Sequence, residues 1–276
     1  MPFKKSTISA IIILVSLVTV IGLSGLNSLF QNKQNRVNDN VQSYTNSETT
    51  SSQFQPVPME KISLTTNDNI KIAANLYGVE NPVGWLILVH MMPSTKESYA
   101  DLAERLQNLG YESLSIDLRG HGESDEGPNG YFNFSDSQHQ KSIFDLGATV
   151  DYLMKTREAR PDKIVFIGAS FGANLLLQYI SEHAEFKTAV LLSAGLNYRG
   201  VKTEPLVKNL KIGQKVFFIS SRDDDDNSQE NSELYQLLPD EVKKDSEIKI
   251  YDSGGHGTDM LENQPDLIGL IVEFIK

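Results

Sequence analysis

From Glu60 to Lys276 short apolar runs alternate with stretches of helical period, an order that few architectures accept. GWLILVH (84–90), YESLSID (111–117), KIVFIGAS (163–170), KTAVLLSA (187–194), KVFFISS (215–221) and EIKIYDS (247–253) read as strands. Between them SYADLAERLQNLG (98–110) sets Leu102, Leu106 and Leu109 on one helical face and ends in glycine. SIFDLGATVDYLMK (142–155) aligns Ile143, Leu146, Val150 and Leu153, and FGANLLLQYISEH, SELYQLL (232–238) and DLIGLIVEFI (266–275) supply further helices. Parallel strands need crossovers, and amphipathic helices need a sheet face to cover. The chain therefore predicts an α/β fold, a mostly parallel central sheet with helices on both faces. KISLTT and KIAANLY flank NDN and add a hairpin at its start.

Residues 1–59 follow other rules. Lys4 and Lys5 precede a mostly apolar run from Ile8 to Leu26, whose nineteen residues would span about 28 Å as a helix, close to a bilayer's hydrocarbon thickness. Residues 1–26 read as a signal anchor or signal peptide, with Gly22 and Ser24 as small residues near a cleavage position. The lysines predict a cytoplasmic N-terminus and an exported remainder, held at the membrane if the segment is not cut. Residues 27–59 are rich in Asn, Gln, Ser and Thr and poor in aliphatics, so they read as a flexible tether. Residues 60–276 suit one domain.

Charge and cysteine content exclude several functions. Thirty-six acidic against twenty-five basic residues leave a net charge of -11, without a dense basic patch, which argues against a nucleic-acid partner. No cysteine is present, so disulfides, thiol catalysis and thiolate metal sites are excluded.

The chemistry-bearing stretch is VFIGASFGAN (165–174). It places Ser170 between Gly168 and Gly172 where a strand gives way to a helix. A serine on so sharp a turn takes a strained backbone, and its neighbours must lack bulk for strand and helix to pass. Its hydroxyl is then pushed above the carboxyl end of the sheet, at the positive end of the helix.

With this element in view the chain resembles the α/β-hydrolase family over essentially all of residues 60–276. LVHMMPS resembles the oxyanion loop, GYESLSIDLRGHGES the strand and turn D-x-R-G-x-G-x-S, GASFGAN the nucleophile elbow, and SGGHGTDM the histidine loop. The resemblance implies that Ser170 is the nucleophile and that His256, between glycines after the last strand, is its general base. The family order Ser, acid, His points to RDDDDN after KVFFISS; counted three residues beyond Ser221 the acid is Asp224, with Asp223 as runner-up. The other aspartates read as a solvated loop, without the alternating spacing of a calcium motif. The resemblance also implies an oxyanion hole from the amides of Phe171 and Met92, although Met91 stands where the family has glycine. Ala173 replaces another common glycine. By the same resemblance His90 would brace the oxyanion loop; His121 reads as part of a structural turn, and His139 and His183 read as partly exposed residues on or beside helices.

Only GLNYRGVKTEPLVKNLKIGQ separates AVLLSA from KVFFISS, too little for a helical cap, so an open site is expected. The stretch 126–141, with Tyr131, Phe132 and Phe134, reads either as a pocket rim or as a connecting loop with buried aromatics. Met91, Met92 and Phe171 would wall a pocket for short acyl chains. The leading expectation is a cofactor-free serine hydrolase, a carboxylesterase acting on a small-molecule ester. An exported aminopeptidase or amidase of the same fold, and a tethered binding protein without turnover, are the alternatives.

Overall fold

Strands that read as continuous apolar runs should be buried on both faces, and they are. The computed structural model describes residues 56–276. A hairpin of β1 (Glu60–Thr65) and β2 (Lys71–Tyr77) leads into β3 (Gly84–Val89), β4 (Tyr111–Ile116), β5 (Ile164–Ala169), β6 (Thr188–Leu192), β9 (Lys215–Ser221) and β10 (Glu247–Tyr251). These form one sheet in the order β1-β2-β4-β3-β5-β6-β9-β10, while β7 (Asn197–Tyr198) and β8 (Val201–Lys202) pair as a separate small hairpin. β1 and β2 are antiparallel, as are β2 and β4; every other contact in the large sheet is parallel.

The helices, numbered in chain order, are α1 (Ala100–Asn108), α2 (Asp136–Gln140), α3 (Ile143–Thr156), α4 (Phe171–Glu182), α5 (Glu204–Asn209), α6 (Asn227–Gln236), α7 (Asp240–Lys243), α8 (Asp259–Asn263) and α9 (Leu267–Ile275). Alternate strand residues serve two apolar layers, as a period of two requires. Ile87, Val89 and Phe166 face Leu146, Val150, Leu153, Leu175 and Leu234 of α3, α4 and α6. Leu86, Leu88 and Ile167 face Leu102, Leu106, Ile271 and Phe274 of α1 and α9.

Three boundaries differ from the sequence reading. Leu109 is 45% exposed because α1 stops at Asn108, and Gly110 turns the chain away at φ 89°. Helix α6 begins at Asn227, not Ser232. Its first turns are polar, so the pattern hid them, yet Asn227 and Asn231 point inward and donate to the Ala194 carbonyl. The domain also starts before Glu60. Val57 N–H donates to the Gly78 carbonyl at 3.0 Å, and Gln107 holds the Val57 carbonyl at 2.7 Å. The expected anchor (1–26) and tether, to residue 55, lie outside the described residues. Among the described residues no helix is long and apolar enough to cross a membrane.

Candidate active site

At the end of β5 Ser170 has φ 54° and ψ -120°, a conformation that costs a non-glycine residue energy unless its surroundings dictate it. They do. A Cβ on Gly168 would come within 2.6 Å of Leu176 and 2.9 Å of the Gly172 backbone, and one on Gly172 within 2.6 Å of the Val89 and His90 carbonyl oxygens. The two glycines let α4 start directly against β3. Ser170 N–H donates to the Leu192 carbonyl at 2.8 Å, and its own carbonyl accepts from Asn174 N–H at 3.1 Å.

The loops after β9 and β10 meet beside it. His256 Nδ1 lies 2.8 Å from both carboxylate oxygens of Asp224. Asp223 faces elsewhere: it accepts from the Ser221 hydroxyl at 2.6 Å and from the amides of Gly254 and Gly255 at 3.1 and 3.2 Å. Those donors hold its carboxyl below the usual range, the Ser221 hydroxyl foremost. Asp223 thus ties down the loop that carries His256, and Asp224 orients the ring.

Ser193, which sequence reasoning missed, joins these parts. Its hydroxyl donates to Asp224 Oδ2 at 2.7 Å and accepts from Gly257 N–H at 2.8 Å. Its φ of 52° aims it there. Gly257 in turn passes so close to the elbow that a Cβ would lie 2.7 Å from Met91 Sδ and 3.2 Å from Ala169 Cβ. This contact brings the residue after His256 against the residue before Ser170. The imidazole and the Ser170 hydroxyl are not hydrogen-bonded to each other here; such contacts commonly tighten only around substrate.

On the opposite side the loop after β3 is braced from below. Leu118 N–H donates to His90 Nε2 at 3.0 Å, which leaves His90 Nδ1 to donate to the Met91 carbonyl at 2.9 Å. Burial lowers the pKa of His90 to about 4, so it stays neutral. Leu118 belongs to the turn that sequence reading assigned a structural role. There Asp117 accepts from Lys96 Nζ at 2.7 Å, and Arg119 pairs with Asp145 and Asp68. Neither Met91 nor Met92 takes a positive φ, so methionine at position 91 does not strain the loop. Among the described residues the amides of Met92 and Phe171 donate to no protein acceptor, the latter as a first-turn helical N–H.

His139 departs from the exposed position expected of it. It is 1% exposed, edge-on to Phe171 with ring centroids 5.6 Å apart. Its helix α2 folds inward beneath the site, which its polar neighbours Ser137, Gln138 and Gln140 concealed. His183 is half-exposed, as expected, beside Glu185.

A family model described as "Serine aminopeptidase, S33" matches residues 80–244. The chain belongs to this family of serine hydrolases. The match contains Ser170 and Asp224 and ends before His256. Among solved structures, an esterase from Pyrococcus furiosus is 22% identical with a TM-score of 0.65, covering 79% of this chain and 91% of that one. A dienelactone hydrolase from Anabaena variabilis is 18% identical with a TM-score of 0.62 over 79% and 94% of the two chains. An esterase from Exiguobacterium antarcticum is 12% identical with a TM-score of 0.61 over 78% and 99%. These similarities show the α/β-hydrolase fold. No curated protein sequence matches the chain.

In this hydrolase a cavity of about 460 Å³ is lined by Ser170, Phe171, Met92, Asp136, Tyr198 and the hairpin turn. A neighbouring cavity of about 490 Å³ holds His256, Asp224 and again Tyr198. The wall differs from the one expected. Met92 and Phe171 line it, but Met91 packs under Gly257 instead. The stretch 126–141 contributes Asp136 rather than its aromatics: Tyr131 is buried against His121 at 4.0 Å, and Phe132 is 71% exposed. Between β6 and β9 stand only the β7–β8 hairpin and six-residue α5, so among the described residues this connection builds no helical cap over Ser170. Tyr198, on that hairpin, is the second residue the sequence reading missed.

Proposed function

We propose that the hydrolase cleaves carboxylic esters through an acyl-enzyme, with Ser170 as nucleophile, His256 as general base and then acid, and Asp224 as its orienting acid. The observation that carries this reading is the bidentate approach of Asp224 to His256 Nδ1, both oxygens at 2.8 Å. It holds the ring in the tautomer whose Nε2 accepts a proton, as a serine hydrolase needs. Ser170 Oγ attacks the carbonyl carbon while its proton passes to His256 Nε2. The amides of Phe171 and Met92, free of protein acceptors, receive the developing oxyanion. Collapse expels the alcohol with the proton from His256, and water repeats the sequence to release the acid.

Esters are favoured over amides because an alkoxide leaves more readily than an amide ion. The family description favours amide cleavage as the second reading. Acetate esters compared with aminoacyl anilides separate the two. Ser170→Ala is expected to lower p-nitrophenyl acetate hydrolysis by at least about 10⁴-fold; activity persisting in that variant contradicts the assignment.

We further propose that the apolar run Ile8–Leu26 carries the hydrolase domain out of the cytoplasm and, if uncut, keeps it at the membrane. Fractionation with N-terminal mapping tests this. A soluble cytoplasmic full-length chain would contradict it.

A further inference from the structure

Beyond β6 the chain doubles back as the β7–β8 hairpin. Tyr198 pairs with Val201 across a two-residue turn in which Arg199 and Gly200 both take positive φ, 51° and 81°. Three features hold the Tyr198 side chain over the site. Its ring lies on Gly195, where a Cβ would come within 2.5 Å of two ring carbons. Gly195 is itself clamped, its amide and carbonyl each bonded to Asn174 at 3.0 Å and its carbonyl also accepting from Thr203 at 2.7 Å. The phenolic oxygen accepts from Asn227 Nδ2 at 3.1 Å, and that same amide group donates to the Ala194 carbonyl.

With one lone pair taken by Asn227, the phenol's own proton is free to point into the cavity that Tyr198 shares with Ser170. Burial, reinforced by the charges of Asp224 and Glu230, pushes its pKa up to about 12, so it is a donor and never a base near neutrality. Its position is informative too. Tyr198 belongs to the cavity of Ser170 and to the cavity of His256, and its ring meets the imidazole edge-on at 6.4 Å. In acyl transfer the departing oxygen lies between nucleophile and imidazole, because the imidazolium must protonate it. Tyr198 borders that space.

We propose that Tyr198 is a further catalytic residue, donating a hydrogen bond from its hydroxyl to the leaving-group oxygen as the ester bond breaks. This rests on the hydrolytic reading above. The bond between carbonyl carbon and leaving oxygen breaks, its electron pair stays on that oxygen, and His256 delivers the proton it took from Ser170. Tyr198 retains its own proton and stabilises the negative charge while the transfer completes. The help matters most when the leaving alcohol is a poor one.

The test is kcat/KM, which reports the steps through acylation, for Tyr198→Phe on ethyl acetate and on p-nitrophenyl acetate. A donor to a charged oxygen predicts a loss of about 50-fold on the alkyl ester, against about threefold on the aryl ester, whose nitrophenolate needs little assistance. Gly195→Ala, which displaces the ring without touching the hydroxyl, should reproduce the same skew. Equal losses on both substrates, or none on either, overturn the proposal and leave Tyr198 a packing residue. A wild-type protein that hydrolyses neither ester and takes no fluorophosphonate on Ser170 instead removes the hydrolytic reading, and the role of Tyr198 falls with it.

Discussion

The two halves of the site are built by opposite means. Ser170 is placed by what its neighbours lack: Gly168 and Gly172 remove the bulk that would part α4 from β3. His256 is placed by what its neighbours supply: Asp224, Ser193, Asp223 and Ser221 form a web of side-chain hydrogen bonds across three loops. Steric placement is rigid and local, whereas the hydrogen-bonded half can be tuned one donor at a time. Substitutions in the first half should therefore threaten the fold, and those in the second should reduce turnover while the fold survives.

The largest effect should come from the acid. Asp224→Asn is expected to lower kcat by about 10⁴-fold, since an amide favours the wrong imidazole tautomer, with little change in the melting curve. Asp223→Asn, which touches the Ser221 hydroxyl and the loop amides of Gly254 and Gly255 but not the imidazole, should cost about tenfold or less. Reversed magnitudes would exchange the roles of these two residues. Next comes Gly172→Ala. Its Cβ would meet two backbone carbonyl oxygens that cannot swing aside, so a loss of about 3 kcal/mol in denaturant unfolding is expected, with activity falling alongside. A variant as stable as the wild type would show that the elbow is softer than described.

Ser193→Ala should be milder still. It removes a donor to Asp224 and strands the Gly257 amide, predicting a fall of about tenfold to 100-fold in kcat/KM without unfolding. The effect with the least bearing on turnover is a pH dependence of stability that belongs to the floor beneath the loop after β3. Burial lowers His90 to about 4 and His121 to about 3 from the ordinary 6.5. The unfolded chain then takes up protons first, so stability is complete above about pH 6.5 and declines as pH falls through 4 toward 3. His121→Phe, which keeps the stacking on Tyr131, should make the decline shallower between about pH 6.5 and 4 and remove it between 4 and 3. A melting temperature independent of pH from 7 to 4 would contradict it.

The same contrast explains what the sequence made legible. The elbow could be read from ten residues, because glycine sterics act between neighbours in the chain. The parallel sheet was equally legible, since burial on both faces writes itself as unbroken apolar runs. Ser193 and Tyr198 could not be read in this way. Their partners stand 31 and 64 residues away for Ser193, and 29 for the Tyr198 hydroxyl, and nothing local marks Ser193. The one signal for Tyr198 was the glycine at 200, which permits a tight turn two residues on. Likewise the polar first turns of α6 and the inward face of α2 contradict a simple apolar pattern. Their buried Asn227, Asn231 and His139 face protein that only tertiary folding brings near.

The central claim is that His256 activates Ser170. Its most direct test is fluorophosphonate labelling followed by peptide mapping, on the wild type and on His256→Ala. The account predicts one adduct, on Ser170, formed rapidly in the wild type and slowed by at least about 10³-fold without the imidazole. An adduct on another residue, or labelling of Ser170 at an undiminished rate in the His256 variant, would contradict it.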